Sequence, residues 1–398
     1  MFKNYVKIAW KVLWRNKFFT FVSLFGISLT LMTVIILIVL IDSKVGNSSV
    51  DPYRSRSVYV DKIELLSPDR WHPYTPSYYF LDKYIRPLKT PEMVSIHAAM
   101  MISFFEKEKK YTADMNYTDG NYWRLMNYDF EEGNAYKDEE VAHAAPVVVI
   151  NEKMKRDIWG GQNCVGKFIE ILDVKHRIIG VVENTSTSYM IWLPLTHDVR
   201  DLRNVKYDGN YAATLLAKNE GDIDNIKAEL QAVASRAEMI DPARYSKVRI
   251  IADTSMEKFA RSIGPGKELV MSIIVSFMIL FMLIPAVNLV NVNISRILDR
   301  ASEIGIRKAF GASSKRLILQ FVVENIMITL FGGLISLVMA AVMLQLLKGM
   351  NFVPVTANLI NWRVFLLSIV TTLFFALISG VYPAYKMSRM NVVDALKN

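Results

Sequence analysis

The chain contains a single cysteine, Cys164, among its 398 residues. A disulfide needs two cysteines, so an intrachain disulfide framework and a cysteine-rich metal site are both excluded. The five histidines show no His-x-x-x-His spacing, which would place two ligands on one helix face. His176 lies in a strand pattern, and we expect it to be a surface or structural residue. A folded domain in this chain must therefore be stabilised by its own apolar core.

The sequence also lacks a phosphate-binding loop, because no stretch has the Gly-x-x-x-x-Gly-Lys-Ser/Thr spacing. The nearest match, at residues 264–267, follows no strand and leads directly into an apolar segment, so we interpret it as a flexible joint. The acidic stretches Glu131–Glu132 and Asp138–Glu140 are interpreted as solvated loop charge. We predict no catalytic residue, no metal site and no directly bound cofactor.

The composition combines 52% hydrophobic residues and a mean hydropathy of +0.22 with 21% charged residues. This mixture indicates membrane spans joined to a soluble domain. A net charge of +9 is compatible with nucleic-acid binding, but the cations cluster beside apolar runs. That placement favours membrane topology over a nucleic-acid partner.

Four apolar segments are long enough to cross a bilayer core of about 30 Å. We predict transmembrane helices at residues 18–41, 267–292, 317–347 and 364–385. Residues 1–17 are basic and amphipathic, typical of a helix at the membrane surface. The alternative is the start of a signal peptide, but the apolar run that follows is long and no small-residue cleavage site ends it. Polar groups near span ends, at Asn288, Asn291 and Glu324, fit either a functional or an interfacial role.

The distribution of cations predicts the topology. Residues 1–17, 293–317 and 386–398 hold fourteen Lys and Arg against three acids, whereas the whole chain has 47 against 38. By the positive-inside rule these segments and both termini are cytosolic. Residues 43–266 then form one large domain outside the membrane, and residues 293–316 form a cytosolic segment between two spans.

The domain at 43–266 shows strand patterns interleaved with helix patterns, which predicts an α+β fold. The Trp and Tyr residues between 71 and 84 and between 117 and 128 could line a path for an amphipathic substrate, but we expect them to lie in the core or at an interface. The predicted strands are Ser57–Leu65, Val94–Phe105, Pro146–Ile150, Lys167–Leu172, His176–Val182, Met190–Leu193, Ala212–Ala217 and Lys247–Ile251. The predicted helices are Ser77–Leu88, Glu152–Trp159 and Asp222–Ala237.

Three pieces of sequence, in the right order, resemble MacB/FtsX-type permeases of the ABC transporter superfamily, the type VII or mechanotransmission group. The most specific is the run EIGIRKAFGAS at residues 303–313, similar to EIGIRKALGAS in that family. The second is the Tyr-Pro-Ala at 382–384 with the tail that follows, although Val392–Val393 stand where proline is common. The third comprises FEEG at 130–133, Val165-Gly166-Lys167 and IIGVV at 178–182, similar to the periplasmic core domain.

The resemblance implies a membrane protein of four transmembrane helices, with a large α+β extracytoplasmic domain between helices 1 and 2, in the cell inner membrane. It implies no catalysis in this chain and a separate ABC ATPase subunit that binds ATP and Mg²⁺. A second permease subunit, identical or not, completes the membrane part, and membrane lipid surrounds it. Outside the membrane, the partners implied are a periplasmic adaptor, a lipoprotein or an outer-membrane channel.

The resemblance further implies that residues 303–313 dock onto the ATPase, with membrane lipid as the alternative partner for their cations. The function implied is transmission of ATP-driven movement to the outside domain, for export or extraction of a peptide, lipid, lipoprotein or toxic small molecule. The alternative is a regulatory transmitter that controls an extracytoplasmic hydrolase. The residues assigned to ATPase coupling are Glu303, Ile304, Gly305, Ile306, Arg307, Lys308, Gly311, Ala312 and Ser313.

Overall fold

A computed structural model describes residues 17–106, 108–183, 188–198, 202, 204–264, 266, 268–280, 283, 314–350 and 366–374. The chain divides into two compact units. The first, here called the helical unit, comprises Met1–Asp42, Glu268–Val353 and Ala357–Asn398. The second, here called the sheet unit, comprises Ser43–Lys267 with Pro354–Thr356.

The helices follow the chain from one unit to the other and back. In order they are α1 Lys17–Val45, α2 Tyr78–Phe80, α3 Gly120–Leu125, α4 Asp138–Ala142, α5 Glu152–Trp159, α6 Ile223–Arg236, α7 Ser255–Ile263, α8 Glu268–Leu280, α9 Ser314–Gly349 and α10 at 366–374. α2 continues as one π-helical turn, Leu81–Ile85. Short 3-10 turns lie at Arg54–Arg56, Leu195–His197 and Glu220–Asp222.

In the helical unit, α1 and α9 are apolar on all sides, as expected of membrane helices. Among the described residues, two helices are long and apolar enough to cross a membrane, Thr20–Val45 and Asn325–Gly349. A third is added if α7 and α8 count as one bent span. The four predicted spans stay a prediction, because residues 284–292 of the second and most of the fourth, 364–385, lie outside the described residues.

Small residues on α9 allow close helix packing within the helical unit. A side chain at Gly332 would come within 2.6 Å of Ile27 on α1, and one at Gly333 within 2.8 Å of Thr372 on α10. Ser336 is fully buried and donates a hydrogen bond to the Gly333 carbonyl at 2.7 Å. In lipid, where apolar burial gives little advantage, such close backbone approach is what holds helices together.

The sheet unit is built on eleven strands in one mixed sheet. The strand order is β11-β1-β10-β3-β4-β9-β6-β8-β5, with β2 paired to β1 and β7 paired to β8. The β4–β9 and β6–β8 pairs are parallel and the others antiparallel. The strands are β1 Ser57–Leu66, β2 Trp71–Tyr74, β3 Met93–Glu106, β4 Lys109–Thr118, β5 Phe130–Gly133, β6 Val147–Asn151, β7 Phe168–Ile171, β8 Val174–Val182, β9 Tyr189–Pro194, β10 Tyr211–Leu216 and β11 Lys247–Thr254.

Helix α5 shows how local sequence sets an element. Asn151 caps its start, because the side-chain oxygen accepts the Met154 amide at 3.3 Å. Gly160 ends it in the left-handed conformation, with a φ of 62°. Its buried residues, Met154, Lys155 and Ile158, face the sheet. One of these three is a lysine, which needs a partner.

The core of the sheet unit contains a cluster of aromatic side chains. Trp123 lies 5.3 Å from Tyr136 and 5.9 Å from Trp192, measured between ring centroids, and Tyr128 lies 5.4 Å from Trp192. Trp192 and Tyr136 are almost fully buried. The aromatics of the 117–128 stretch therefore form core, as the sequence predicted.

Candidate functional site

The residues predicted to couple to an ATPase, Glu303–Ser313, lie outside the described residues. The same holds for Asn288 and Asn291 and for the side chain of Glu324. The described parts that bear on function are therefore in the sheet unit. They are the hydrogen bonds around the last residues of α1, a buried cluster of charges and glycines, and the surface cavities.

Within the sheet unit, residues Ser43–Val45, with which α1 ends, are hydrogen-bonded to Arg54 and Ser255. We call these residues, together with Asp51, the joint. The Ser255 hydroxyl lies 3.3 Å from the Lys44 carbonyl and 3.1 Å from that of Val45. Arg54 donates to the Ser43 carbonyl at 3.0 Å and pairs with Asp51 at 2.9 Å. These bonds satisfy carbonyls that a helix end leaves without intrahelical partners.

Ser255 is placed by the start of α7. Thr254 and Glu257 form a capping box in which each side chain bonds the backbone amide of the other. Glu257 also pairs with Lys227 of α6 at 2.6 Å. On the exposed side, Lys258 pairs with Asp61 of β1 at 2.8 Å. The joint is thus bonded through α7 to both α6 and the central sheet.

The second feature, which we call the clamp, consists of Glu131, Glu132 and Gly133 on β5, Lys155 on α5 and Gly180 on β8. The Lys155 ammonium lies 2.6 Å from a carboxylate oxygen of Glu131 and 2.6 Å from one of Glu132. The Lys155 side chain is only 5% exposed. The interpretation of Glu131–Glu132 as solvated loop charge is therefore wrong: these carboxylates neutralise a buried cation, which would otherwise be costly.

Hydrogen bonding shifts the titration of the clamp. The bonds to Glu131 and then to Glu132 raise the pKa of Lys155 above its usual value. Burial alone would raise the pKa of Glu132, but the bonds from Lys155 and from the Cys164 amide outweigh it, so the pKa lies below its usual value. The Cys164 amide donates to Glu132 at 3.2 Å. Burial also raises the pKa of the Cys164 thiol, to about 11. Lys155 and Glu132 are therefore both ionised at neutral pH.

The two clamp glycines let β5 and β8 approach closely. Gly133 has a φ of 64°, and a side chain there would overlap the Ile179 carbonyl oxygen. That oxygen accepts the Asn134 amide at 3.1 Å. A side chain at Gly180 would come within 2.6 Å of the Asn134 carbonyl oxygen. Only glycine fits both positions without displacement of the backbone.

The surface of the sheet unit carries open cavities. One of about 370 Å³ is lined by Tyr74, Lys206, Asp241, Arg244 and Tyr245 among others. The Tyr74 and Tyr245 hydroxyls are 2.7 Å apart. A larger cavity of about 740 Å³ lies between β11 and α6. Tyr74 also packs against the core of the sheet unit, so it lies between that core and the cavity.

Comparison with known proteins identifies the fold family. The profile of the MacB-like periplasmic core domain matches residues 20–233, more than half of the chain. The chain belongs to this family. The profile of the FtsX-like permease C-terminal region matches residues 275–392, so this MacB/FtsX-type permease has both regions in the expected order.

Two curated relatives of this MacB/FtsX-type permease illustrate the match. The macrolide export ATP-binding/permease protein MacB of Haemophilus ducreyi is 22% identical over 98% of this chain and 55% of its own length. The Bacillus subtilis protein YknZ, described as an uncharacterized ABC transporter permease, is 22% identical over 77% of this chain and 74% of its own length. The chain thus spans little more than half of the MacB relative.

Among solved structures, the periplasmic region of MacB from Actinobacillus actinomycetemcomitans matches with a TM-score of 0.39 and 14% identity, over 55% of this chain and 96% of that one. In the sheet unit, two of the sequence stretches that resemble the periplasmic core domain lie on paired strands. The stretch FEEG lies on β5 and the stretch IIGVV lies on β8. Lys155 of α5 forms an ion pair with Glu131 of the first stretch.

Proposed function

We propose that this MacB/FtsX-type permease is the membrane subunit of an ABC transporter and carries movement driven by ATP to its outer domain. ATP and Mg²⁺ bind to a separate ATPase chain, and this chain takes no catalytic part. A second permease subunit, identical or not, completes the membrane part. The movement exports or extracts a peptide, a lipid or lipoprotein, or a toxic small molecule. The protein lies in the inner membrane with both termini in the cytosol.

The observation that carries this proposal is the joint. Membership of an ABC permease family supplies the transporter context. The joint then supports mechanical transmission in this chain, because the carbonyls of Ser43, Lys44 and Val45, at the end of the candidate span Thr20–Val45, bond directly to Arg54 and Ser255. A displacement of α1 along its axis would act on β1 and α7 through these bonds. Hinge and shear movements of this kind are driven at a few element ends.

The force is proposed to enter through Glu303–Ser313. In this assignment Arg307 and Lys308 pair with acids on the ATPase, while Gly305 and Gly311 allow close approach and a turn. Charge pairs of this kind set orientation and partner choice. The cations of the same cytosolic segment that precede residue 303 bind anionic lipid headgroups instead.

The test compares two charge reversals in the same segment. The full chain is expressed in its own host and purified in detergent together with the ABC ATPase that co-purifies with it. The double variant Arg307→Glu and Lys308→Glu should lose the ATPase from the complex, and with it the activity that the permease stimulates. The matched control is Arg296→Glu with Arg300→Glu, which removes the same charge outside Glu303–Ser313 and should retain the ATPase.

Equal loss in both double variants would show that lipid attraction, and not docking, is what the cations provide. Normal stimulation by the Arg307 and Lys308 variant would overturn the docking assignment. Crosslinking of the full chain in cells then separates the two uses of the movement. Capture of an outer-membrane channel or lipoprotein supports transport, and capture of a cell-wall hydrolase or its activator supports regulation.

A further inference from the structure

Two histidines far apart in sequence lie side by side in the sheet unit. His176 lies on β8 and His197 ends the 3-10 turn after β9, and their ring centroids are 5.0 Å apart. His176 is 2% exposed, and His197 is half-buried. The clamp, the joint and the proposed transport function use neither residue.

The backbone fixes which nitrogen of each ring carries the proton. The Nδ1 atom of His176 lies 2.9 Å from the Val174 carbonyl, and the Nε2 atom of His197 lies 2.9 Å from the Ala145 carbonyl. A carbonyl oxygen only accepts, so each of these nitrogens is an N–H donor. In the neutral imidazoles, Nε2 of His176 and Nδ1 of His197 are therefore left with lone pairs.

The lone pair of His176 has no partner. Its Nε2 atom is buried and makes no hydrogen bond. Leaving a buried acceptor without a partner is costly, and such atoms in native proteins mark a missing water, ion or functional group.

The arrangement has the features of a metal-ligating pair. Ligating histidines donate their second ring N–H to a carbonyl or carboxylate, which orients the ring and raises the basicity of the ligating nitrogen. A bond of about 2.0–2.1 Å from each nitrogen to a tetrahedral ion places two ligating rings with centroids about 5 Å apart. The measured separation is 5.0 Å, with the two ring planes inclined at 61° to each other.

We propose that His176 and His197 bind one divalent late transition-metal ion, Zn²⁺ or Cu²⁺, between their rings. Imidazole nitrogen is a preferred ligand for both ions. Among the described residues no group of three or more His, Cys, Asp and Glu side chains is placed to hold a metal, so water completes the coordination on the half-exposed His197 side. The ion connects β8 to the turn after β9 and, through Ala145, to the segment between α4 and β6.

The test uses the full chain, purified in detergent with its affinity tag removed and stripped of metal with a chelator. Zn²⁺ and Cu²⁺ are titrated separately by calorimetry, and bound metal is counted by mass spectrometry. The wild type should bind one ion per chain. His176→Gln and His197→Gln should each weaken binding by about tenfold or more, since each removes one of two protein ligands.

Two controls keep the result specific. His143→Gln removes a nearby histidine whose Nδ1 atom lies 2.7 Å from the Glu139 carbonyl, and His72→Gln removes one that bonds Ser67; both should bind like the wild type. Because His197 is only half-buried, we expect its variant to fold even if the variant of the buried His176 does not. Circular dichroism of both variants checks their folding. Failure of the wild type to bind either ion, or unchanged binding in the double variant His176→Gln with His197→Gln, overturns the proposal.

Discussion

The clamp and the joint, two polar features of the same unit, are built in opposite ways. The clamp places a nearly buried ammonium between two carboxylates and presses two glycines against backbone carbonyls. The joint uses a serine hydroxyl and an arginine on helix-end carbonyls, with the Arg54 side chain 21% exposed. Water can replace the bonds of the joint, whereas in the clamp it reaches Glu131 far more than the buried Lys155 ammonium.

The difference separates stability from transmission. A feature made of steric contacts and buried charge has one arrangement, because displacing it exposes an unpaired charge or forces an overlap. The bonds of the joint to the Ser43, Lys44 and Val45 carbonyls are part-buried. Exchanging such bonds for bonds to water has a small net cost, so their geometry can change during a cycle. We therefore expect clamp variants to reduce folding stability, and joint variants to alter coupling with little effect on stability.

The largest loss is expected for Gly133→Ala in the clamp. The new methyl group overlaps the Ile179 carbonyl oxygen and the φ of 64° is unfavourable for alanine. Together these should reduce the free energy of unfolding by about 3 kcal/mol. Urea unfolding of the purified chain, followed by tryptophan fluorescence, measures it.

Gly160→Ala is the matched control. Gly160 has nearly the same φ of 62°, but a side chain there meets nothing within 4 Å. Only the backbone cost remains, about 1 kcal/mol. Equal losses in the two variants would show that the close approach at Gly133 contributes nothing.

The next largest effect is expected for Lys155→Met, which keeps the apolar volume and removes the cation. Glu131 and Glu132 are then left beside each other without their counter-ion. Because Glu131 is 36% exposed and water can partly solvate it, we expect a loss of about 2 kcal/mol rather than the full cost of a buried charge. Lys153→Met, which breaks a partly exposed pair with Asp157 and a contact of the ammonium with the Tyr189 ring, should lose less than about 1 kcal/mol.

The same pair of variants should differ in acid. The folded-state pKa of Glu132 lies below its unfolded value of about 4.3, so Glu132 contributes stability above that pH, and this is lost as the pH falls through the folded-state pKa. Without Lys155 the shift shrinks, and Lys155→Met should show a flatter decline of stability in acid than Lys153→Met. Parallel pH profiles would contradict the clamp as the cause of the shift.

The smallest loss of stability is expected for Ser255→Ala in the joint, about 0.5–1 kcal/mol, because the Lys44 and Val45 carbonyls regain water. Its effect should appear in the complex, as a reduced stimulation of the partner ATPase. Ser262→Ala, which removes a hydroxyl bonded only within its own helix, should leave stimulation unchanged. A stability loss as large as that of Lys155→Met would remove the distinction between the two features.

Strongly patterned elements were predictable from the sequence. Each of the eight predicted strands overlaps an observed strand within a few residues, since runs such as Val147–Asn151 are apolar and β-branched. Helix α5 matches its prediction because Asn151 is a local start signal and Gly160 a local stop signal. The adjacent glycines Gly332 and Gly333 are a local signal of the same kind, since close helix packing needs small residues.

Other elements were missed although their signals were present. Strand β4 has a polar exposed face, but Tyr111, Ala113, Met115 and Tyr117 alternate on the buried side. The capping box formed by Thr254 and Glu257 is a sequence signal for the start of a helix, but helix α7 was not among the predicted helices.

The clamp and the histidine pair were beyond sequence reasoning for a different reason. Glu132 and Lys155 meet only because β5 pairs with β8 and α5 packs on the sheet, and His176 meets His197 across separate elements. Such contacts depend on strand order, which periodicity does not contain. Lysine among the apolar residues of α5 was the one available hint that a buried counter-charge existed.

The strand order also governs how this chain is made. Strand β1 is the first strand of the sheet unit to be synthesised, yet Ser57 pairs with Leu216 and Val58 pairs with Thr254. Contacts of such long sequence separation form slowly, because the entropy of closing a large loop is lost before the contacts contribute any stabilisation. Strand β2 can pair with Ile63–Leu66 at once, but the backbone groups of β1 that pair with β10 and β11 stay unpaired until those strands are synthesised. During synthesis the tethered domain is exposed to proteases and to pairing with other chains, and a quality-control factor acting on this permease would find its target there.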